Sequence, residues 1–340
     1  LDEIQAAEQA LTSLKYFTEQ SPNYHIIAAG SLLGVAINRN KYSFPVGKVA
    51  LQTLAPMDFE EFLWALNQRS GVDIIKESFE NNTECTLHQQ FINYYKNFLC
   101  TGGMPQVVSE YIDKQDFDYV SVVQKNIINA YIADMAKYAT PDETVRIMAA
   151  FNSIPAQLAK DNKKFQYKVI KSGARAKQYE LALQWLRASG IIIYSPKLNE
   201  GKLPLSLYTD NNSFKTYLND TGLLLSGIGV PPKIIISDII NYQNFKGMLA
   251  ENYVAVSLAG NNYIPYYWAS EGKAEVDFVI QNRDGKIIPI EVKSADNIRS
   301  KSLQQFINRY NPAYSIRIST KNFGFENKIK SIPFYATFCI

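Results

Sequence analysis

The chain has 340 residues, 46% of them apolar and 20% charged, with 35 Lys+Arg against 32 Asp+Glu for a net charge of +3. So apolar a chain, with 22 Tyr and 18 Phe, is neither disordered nor fibrous, and its length suits two or three domains. The small net charge does not announce nucleic acid, so any basic footprint must be local. The longest apolar run, Ile26 to Ile37, contains Ser31 and two glycines and falls short of the roughly 20 residues that cross a bilayer. Cys85, Cys100 and Cys339 are far apart and odd in number, which fits neither a disulfide framework nor a zinc site and points to a reducing cytoplasm. Leu1-Asp2-Glu3 offers no initiator Met and no signal-like segment, so the expectation is a chain without its N-terminal part.

In chain order, apolar Ala7, Leu11, Leu14 and Phe17 predict a helix over Ala6 to Glu19, ended by Ser21-Pro22-Asn23. His25 to Ala29 reads as a buried parallel strand, and a second strand is expected near Val46 to Leu54. Asp58 to about Lys137 is helical in pattern, with Phe59, Phe62, Leu63 and Leu66 on one face and a turn at Thr101 to Pro105. Helices over Ile147 to Lys160 and Arg175 to Ala188 precede strands at Ile191 to Leu198 and Leu203 to Thr209, which flank an Asn199-Glu200-Gly201 turn. That order is the order of a winged helix. Gly229 to Pro232 reads as a domain boundary. Beyond it come a helix from about Tyr242 to Leu258, strands at Tyr263 to Trp268, Val276 to Ile280 and Ile287 to Lys293, a helix from Lys301 to Tyr310, and closing strands at Ile316 to Ile318 and Pro333 to Phe338.

The sharpest chemistry lies between Glu251 and Lys293. Period-two alternation puts Glu275, Asp277 and Val279 on one strand face, and Glu291 with Lys293 on a common face of the next strand. Carboxylate oxygens are hard ligands that suit Mg²⁺ or Mn²⁺, and a lysine beside them can position an attacking water. The same alternation also describes any half-exposed strand with a solvated face. In the order helix acid, strand Asp, short turn and Glu291-Val292-Lys293, the segment resembles the PD-(D/E)XK, or restriction-endonuclease-like, nucleases. The resemblance implies an α-β-β-β-α-β core, Glu251, Asp277 and Glu291 as metal ligands, Lys293 as a catalytic lysine and Gln304 as an auxiliary residue. The usual Pro-Asp is here Val276-Asp277.

Leu1-Asp2-Glu3-Ile4-Gln5 resembles the end of a Walker B strand, and Ala29-Gly30-Ser31 a sensor strand. Together with Pro45-Val46-Gly47-Lys48-Val49, Phe59-Glu60-Glu61-Phe62-Leu63 and Gly102-Gly103-Met104-Pro105, they resemble a prokaryotic family of AAA-plus ATP-binding proteins with a nuclease-like C-terminal domain of unknown function. The resemblance implies Asp2, Glu3 and Ser31 as nucleotide-site residues, with ATP and Mg²⁺ as ligands of the full-length protein only.

From Lys160 to Lys177 there are seven basic residues and one acid, Asp161, interleaved with Phe165 and Tyr167. In a helix-turn-helix, Lys163, Lys164, Lys168, Lys171, Arg175 and Lys177 would meet DNA phosphates; a solvated lysine-rich surface is the equal alternative. His25 suits a packed histidine, and His88 has no partner spacing.

The fold class expected is therefore multidomain α/β: an AAA-plus remnant lacking Walker A (1–57), a helical lid-like region (58–139), a winged-helix-like domain (140–228) and a restriction-endonuclease-like domain (233–340). The function expected is that of an ATPase fragment with a metal-dependent, nuclease-like domain acting on DNA, with no membrane partner and the oligomeric state open. The competing reading is an inactive nuclease-fold scaffold serving as an ATP-gated DNA-binding or protein-interaction module. No G-x-x-x-x-G-K-[ST] occurs, since Tyr42 stands five residues before Gly47-Lys48 and Val49 follows. Calorimetric titration of these 340 residues with Mg-ATP should accordingly give no binding heat, and a micromolar dissociation constant would contradict that.

Overall fold

The computed structural model describes residues 1–30, 45–160, 162–237, 243–270, 274–294 and 301–340. Its N-terminal helix α1 (Glu8–Gln20) matches expectation. Residues 1–4 and 27–29 run side by side, with Ala29 N–H donating to Leu1 O at 2.8 Å and Ile4 N–H to Ala29 O at 3.1 Å, although neither stretch is long enough to be a regular strand. The strand expected near Val46 to Leu54 does not form, and Leu51 and Leu54 are exposed. A strand persists only beside a paired edge, and among the described residues none lies against this segment.

A helical layer follows: α2 (Phe59–Ala65), α3 (Arg69–Asn81), α4 (His88–Thr101), α5 (Pro105–Lys114) and α6 (Phe117–Tyr138). Helix α2 starts on a capping box, with Asp58 Oδ1 accepting from Glu61 N–H at 2.8 Å and Glu61 Oε2 from Asp58 N–H at 2.9 Å. Next come α7 (Pro141–Leu158), the single turn α8 (Tyr167–Ile170) and α9 (Ala176–Ala188). Gly190, at φ +73°, turns the chain from α9 into β1 (Ile192–Leu198). The partner strand β2 spans Thr209–Leu218, not Leu203 to Thr209. The intervening Leu205–Tyr208 is a 3₁₀ turn after Pro204, and Leu205 is buried in a side core instead of facing β1.

After α10 (Thr221–Ile228) and α11 (Pro232–Ile236) come α12 (Gln243–Gly260), β3 (Tyr266–Ala269), β4 (Glu275–Gln281) and β5 (Ile287–Lys293). Then follow α13 (Lys301–Tyr310), β6 (Ser315–Ser319), β7 (Gly324–Glu326) and β8 (Ile329–Pro333). The strand expected at Pro333 to Phe338 is instead a 3₁₀ segment, because Phe334, Tyr335 and Phe338 all bury together, which alternation in a half-exposed strand does not allow.

The eight strands among the described residues form one mixed sheet in the order β2-β1-β3-β4-β5-β6-β8-β7. Strands β3, β4 and β5 are antiparallel neighbours, β6 lies parallel to β5, and β1 joins β3 in parallel through Lys197 and Leu198. The sheet thus runs through the Gly229 to Pro232 linker, and the hairpin expected to close a separate domain shares its sheet with the C-terminal strands. One large core continues from Phe59 to Phe338, while α13 covers a second core of Trp268, Leu303 and Phe306. Tyr95 of α4 stacks on Phe334 at 5.1 Å and meets the Tyr253 ring of α12 edge-on at 4.9 Å, so the helical layer sits directly on α12.

The turn at Gly102-Gly103 is locked by Asp220, which is fully buried. Its Oδ2 accepts from Gly103 N–H at 2.6 Å, and its Oδ1 caps α10 by accepting from Leu223 N–H at 2.7 Å. A Cβ at Gly102 would collide with the Asp220 carboxylate, and one at Gly103 with Met57 O, so the glycine pair reflects close approach. Burial pushes the Asp220 carboxyl up to about 6, against the lowering pull of those N–H donors. The folded chain then holds this proton more tightly than the unfolded chain does, so its contribution to stability is complete below about pH 4 and is lost as pH rises to about 6. In denaturant titrations across that range, the wild type should lose stability relative to Asp220→Asn; a constant difference between the two would contradict the burial.

Candidate functional site

Helix α12 presents Glu251 to the sheet because its neighbours Leu249, Ala250, Val254 and Ala255 are all buried in the main core. Glu251 is buried as well. Its Oε1 is ion-paired with Lys163, and its Oε2 accepts from Tyr217 O–H at 3.3 Å and lies 3.8 Å from Lys215 Nζ. Lys215, on β2, has a side chain with 0% exposure; its ammonium is 2.5 Å from Glu275 Oε1 and 4.9 Å from the Tyr267 ring centre. On β5, Glu291 Oε1 meets Lys293 Nζ at 2.6 Å, and Asp277 Oδ2 accepts from Val292 N–H at 2.8 Å. Glu291 Oε2 is buried with no hydrogen-bond partner among the described residues.

Strict alternation does not place these groups. Val276 pairs with Trp268 and Val279 with Tyr266, three steps on β4 against two on β3. That irregularity at Asp277-Phe278 is a bulge. Val276 and Val279 therefore pack in the Trp268 core while Phe278 and Ile280 pack in the main core, so Val279 does not share a face with Glu275 as alternation predicts.

The charges feel one another strongly. Burial, and then the charges of Glu251 and Glu291, push the Asp277 carboxyl well above the ordinary range, against the pull of Lys215 and Lys163. Burial pushes Glu251 up too, but Lys163 and Lys215 outweigh it and hold the carboxyl below its usual value. Burial disfavours the Lys293 ammonium, yet Glu291, Asp277 and Glu251 outweigh it and raise its pKa. Lys293 thus stays charged at neutral pH, which suits it to orient or stabilise an anion and not to deprotonate a water.

For a divalent cation, the orphaned Glu291 Oε2 and the anion-crowded Asp277 are fitting ligands of the hard-oxygen type. Among the described residues, however, no three His, Cys, Asp or Glu are arranged round a single point. Lysines hold both oxygens of Glu251 and one of Glu291.

Of the site residues expected from sequence, Glu251, Asp277, Glu291 and Lys293 come together. Gln304 does not join them: it is exposed on α13 and donates to Asn308 Oδ1 at 2.9 Å. Lys163 leaves the basic face for Glu251, whereas Lys168, Lys171, Arg175 and Lys177 are exposed and Lys164 is half-buried. Asp2 and Glu3 are exposed at the start of the chain, and Ser31 lies outside the described residues. His88 bonds Tyr335 Oη at 2.9 Å and Thr320 O at 3.0 Å, a structural role. Sequence reading missed Lys215 and Tyr217. The Ser213, Lys215, Tyr217 alternation was the available signal, but it does not reveal that the lysine is buried. Among the described residues no helix is long and apolar enough to cross a membrane.

Lys215→Met would strand Glu251 and Glu275 without their shared cation, and the loss on breaking such buried pairs is about 3 to 5 kcal/mol. Urea unfolding should find most of that loss restored in Lys215→Met/Glu251→Gln; equal destabilisation of the single and double variants would contradict the coupling.

Comparison with known families matches residues 1–63 to a model described as an AAA domain, 92–233 to a domain of unknown function (DUF8612) and 246–336 to a domain of unknown function (DUF4143). Searches of curated proteins and of solved structures returned no match. The junction between the second and third models falls just after the Gly229 to Pro232 linker, although the sheet crosses it. The N-terminal match shows residues 1–63 to be similar to an AAA domain, in the segment that carries the Leu1 to Gln5 and Phe59 to Leu63 motifs.

Proposed function

We propose that this chain is the part of an AAA-type, ATPase-related protein that carries a PD-(D/E)XK-like site for metal-dependent hydrolysis of DNA phosphodiesters. The observation that carries the reading is the meeting of Glu251, Asp277, Glu291 and Lys293, from one helix and two adjacent strands, in one charged cluster in which Glu251 and Glu291 are buried and Asp277 and Lys293 half-buried. The order α12, β3, β4, β5, α13, β6, with β6 parallel to β5, supports it as an α-β-β-β-α-β core.

In this reading Glu251, Asp277 and Glu291 hold Mg²⁺ or Mn²⁺, which would polarise a phosphoryl oxygen and lower the pKa of a bound water. Lys293, kept charged by Glu291, neutralises the negative charge developing on the phosphate. The bulge at Asp277-Phe278 breaks the alternation of β4 beside the cluster, a place where bulges commonly re-aim a side chain. Helices α7 to α9 followed by β1 and β2 keep the order of a winged helix, and the exposed Lys168, Lys171, Arg175 and Lys177 are suited to duplex DNA phosphates. Asp2, Glu3 and Ser31 would serve a nucleotide site only together with a phosphate-binding loop, and no G-x-x-x-x-G-K-[ST] occurs in these 340 residues.

A second reading, an inactive nuclease-fold scaffold that binds DNA or protein, is favoured by one observation: Lys163 and Lys215 already neutralise Glu251. Cleavage of duplex DNA in Mn²⁺ separates the two. Asp277→Ala and Lys293→Ala should each slow cleavage by about 100-fold or more. Equal cleavage by all three proteins would discard the site, and absent Mn²⁺ binding heat with intact DNA affinity would favour the scaffold.

A further inference from the structure

We infer that Lys163 is a removable cap on the carboxylate cluster, standing at Glu251 where a divalent cation would stand and drawn off by the phosphates of bound duplex DNA. The inference rests on the proposed metal site and deepens it by naming its regulation. Two lysines contact Glu251, and they are not equivalent. Lys215 is wholly buried and also serves Glu275, so it has no route out. Lys163 keeps 15% of its side chain exposed and contacts one oxygen of Glu251 from a connecting segment.

That segment is pinned two residues further on. Phe165 N–H donates to Phe214 O at 2.8 Å, and the two rings stack at 5.2 Å. The anchor keeps the Lys163 backbone beside β2 while leaving its long side chain free to swing between Glu251 and an outside anion. Lys168, Lys171, Arg175 and Lys177 follow along the same stretch of chain and are exposed, free to hold a polyanion that recruits Lys163.

The charge balance points the same way. Glu251, Glu275, Asp277 and Glu291 face Lys163, Lys215 and Lys293. Departure of Lys163 leaves four carboxylates against two ammonium groups, and frees Glu251 Oε1 to join the orphaned Glu291 Oε2 as a hard-oxygen ligand. Substrate phosphate that recruits Lys163 would thus favour cation binding, and by reciprocity the cation would favour DNA.

Isothermal titration with Mn²⁺ alone tests the cap. Lys163→Gln should bind Mn²⁺ about tenfold more tightly than the wild type, a typical size for coupled sites. Lys163→Arg, which keeps the charge, and Lys125→Gln, on the exposed face of α6, should match the wild type. A saturating short DNA duplex should raise the Mn²⁺ affinity of the wild-type protein toward that of Lys163→Gln. Equal Mn²⁺ affinity in wild type and Lys163→Gln, with binding abolished by Asp277→Asn, would overturn the cap and leave the metal site standing. No Mn²⁺ heat in any protein would overturn both. Should Lys163→Gln fail to fold, wild-type Mn²⁺ affinity unchanged by duplex overturns the cap.

Discussion

An ammonium group with no access to water is among the most costly things a protein can bury, and the C-terminal half of this molecule is arranged round one. Lys215 gives up its hydration, a loss of several kcal/mol after relaxation, which is offset by the charges of Glu251 and Glu275 and the face of Tyr267, while its Nζ makes no well-aligned hydrogen bond among the described residues. These partners come from α12, β4 and β3, whereas Lys215 belongs to β2, before the Gly229 to Pro232 linker. The pairing therefore ties the two sequence regions into one unit. Asn252, next to Glu251, reinforces the seam by donating to Leu218 O at 3.0 Å and accepting from Leu218 N–H at 2.8 Å. A sheet that runs through a linker agrees with this arrangement, since Lys215 before the linker and Glu251 and Glu275 after it pair with one another.

The same economy links the helical layer to the sheet. Asp220 lies two residues beyond the end of β2, and its carboxylate holds both the start of α10 and the Gly102-Gly103 turn. Gln124 of α6 adds bonds to Cys100 O and Thr101 O at 2.7 and 3.0 Å, so the end of α4 has its carbonyls satisfied without water. Together with the Tyr95, Tyr253 and Phe334 rings, these contacts make one packed body from Phe59 onward. The carboxylate cluster sits within it on α12, β4 and β5, which share that core.

How much of this was legible depends on what each element asks of its residues. Strand β5 and helix α13 fall where their patterns predict, because Ile288, Ile290 and Val292 alternate into one core and Leu303 and Phe306 sit on one helical stripe. The four residues of the candidate site were legible because their order along the chain is itself informative. The bulge was not, since Val276-Asp277-Phe278-Val279 reads as regular alternation until β3 pairs with it. Lys215 escapes notice and Lys163 is assigned to the DNA face for a related reason: a lysine advertises solvent, and only the tertiary neighbourhood reveals that Glu251 and Glu275 await it. The segment near Val46 to Leu54 has strand composition without a paired edge, and Phe334 to Phe338 has strand composition but buries too many consecutive aromatics to alternate. Composition reports what a residue tolerates, and pairing decides what it does.

The account depends most on Asp277 sharing its surroundings with the carboxylates of Glu251 and Glu291 and not standing alone in a screened surface patch. Carboxyl ¹³C NMR of the metal-free protein, with Asp277 assigned through its loss in Asp277→Asn, reads that neighbourhood directly. The account predicts an Asp277 titration displaced well above the usual carboxylate range, moving back down when Glu251 or Glu291 is replaced by Gln. A midpoint near that of a free aspartate, about 4, and indifferent to both neighbours would contradict it.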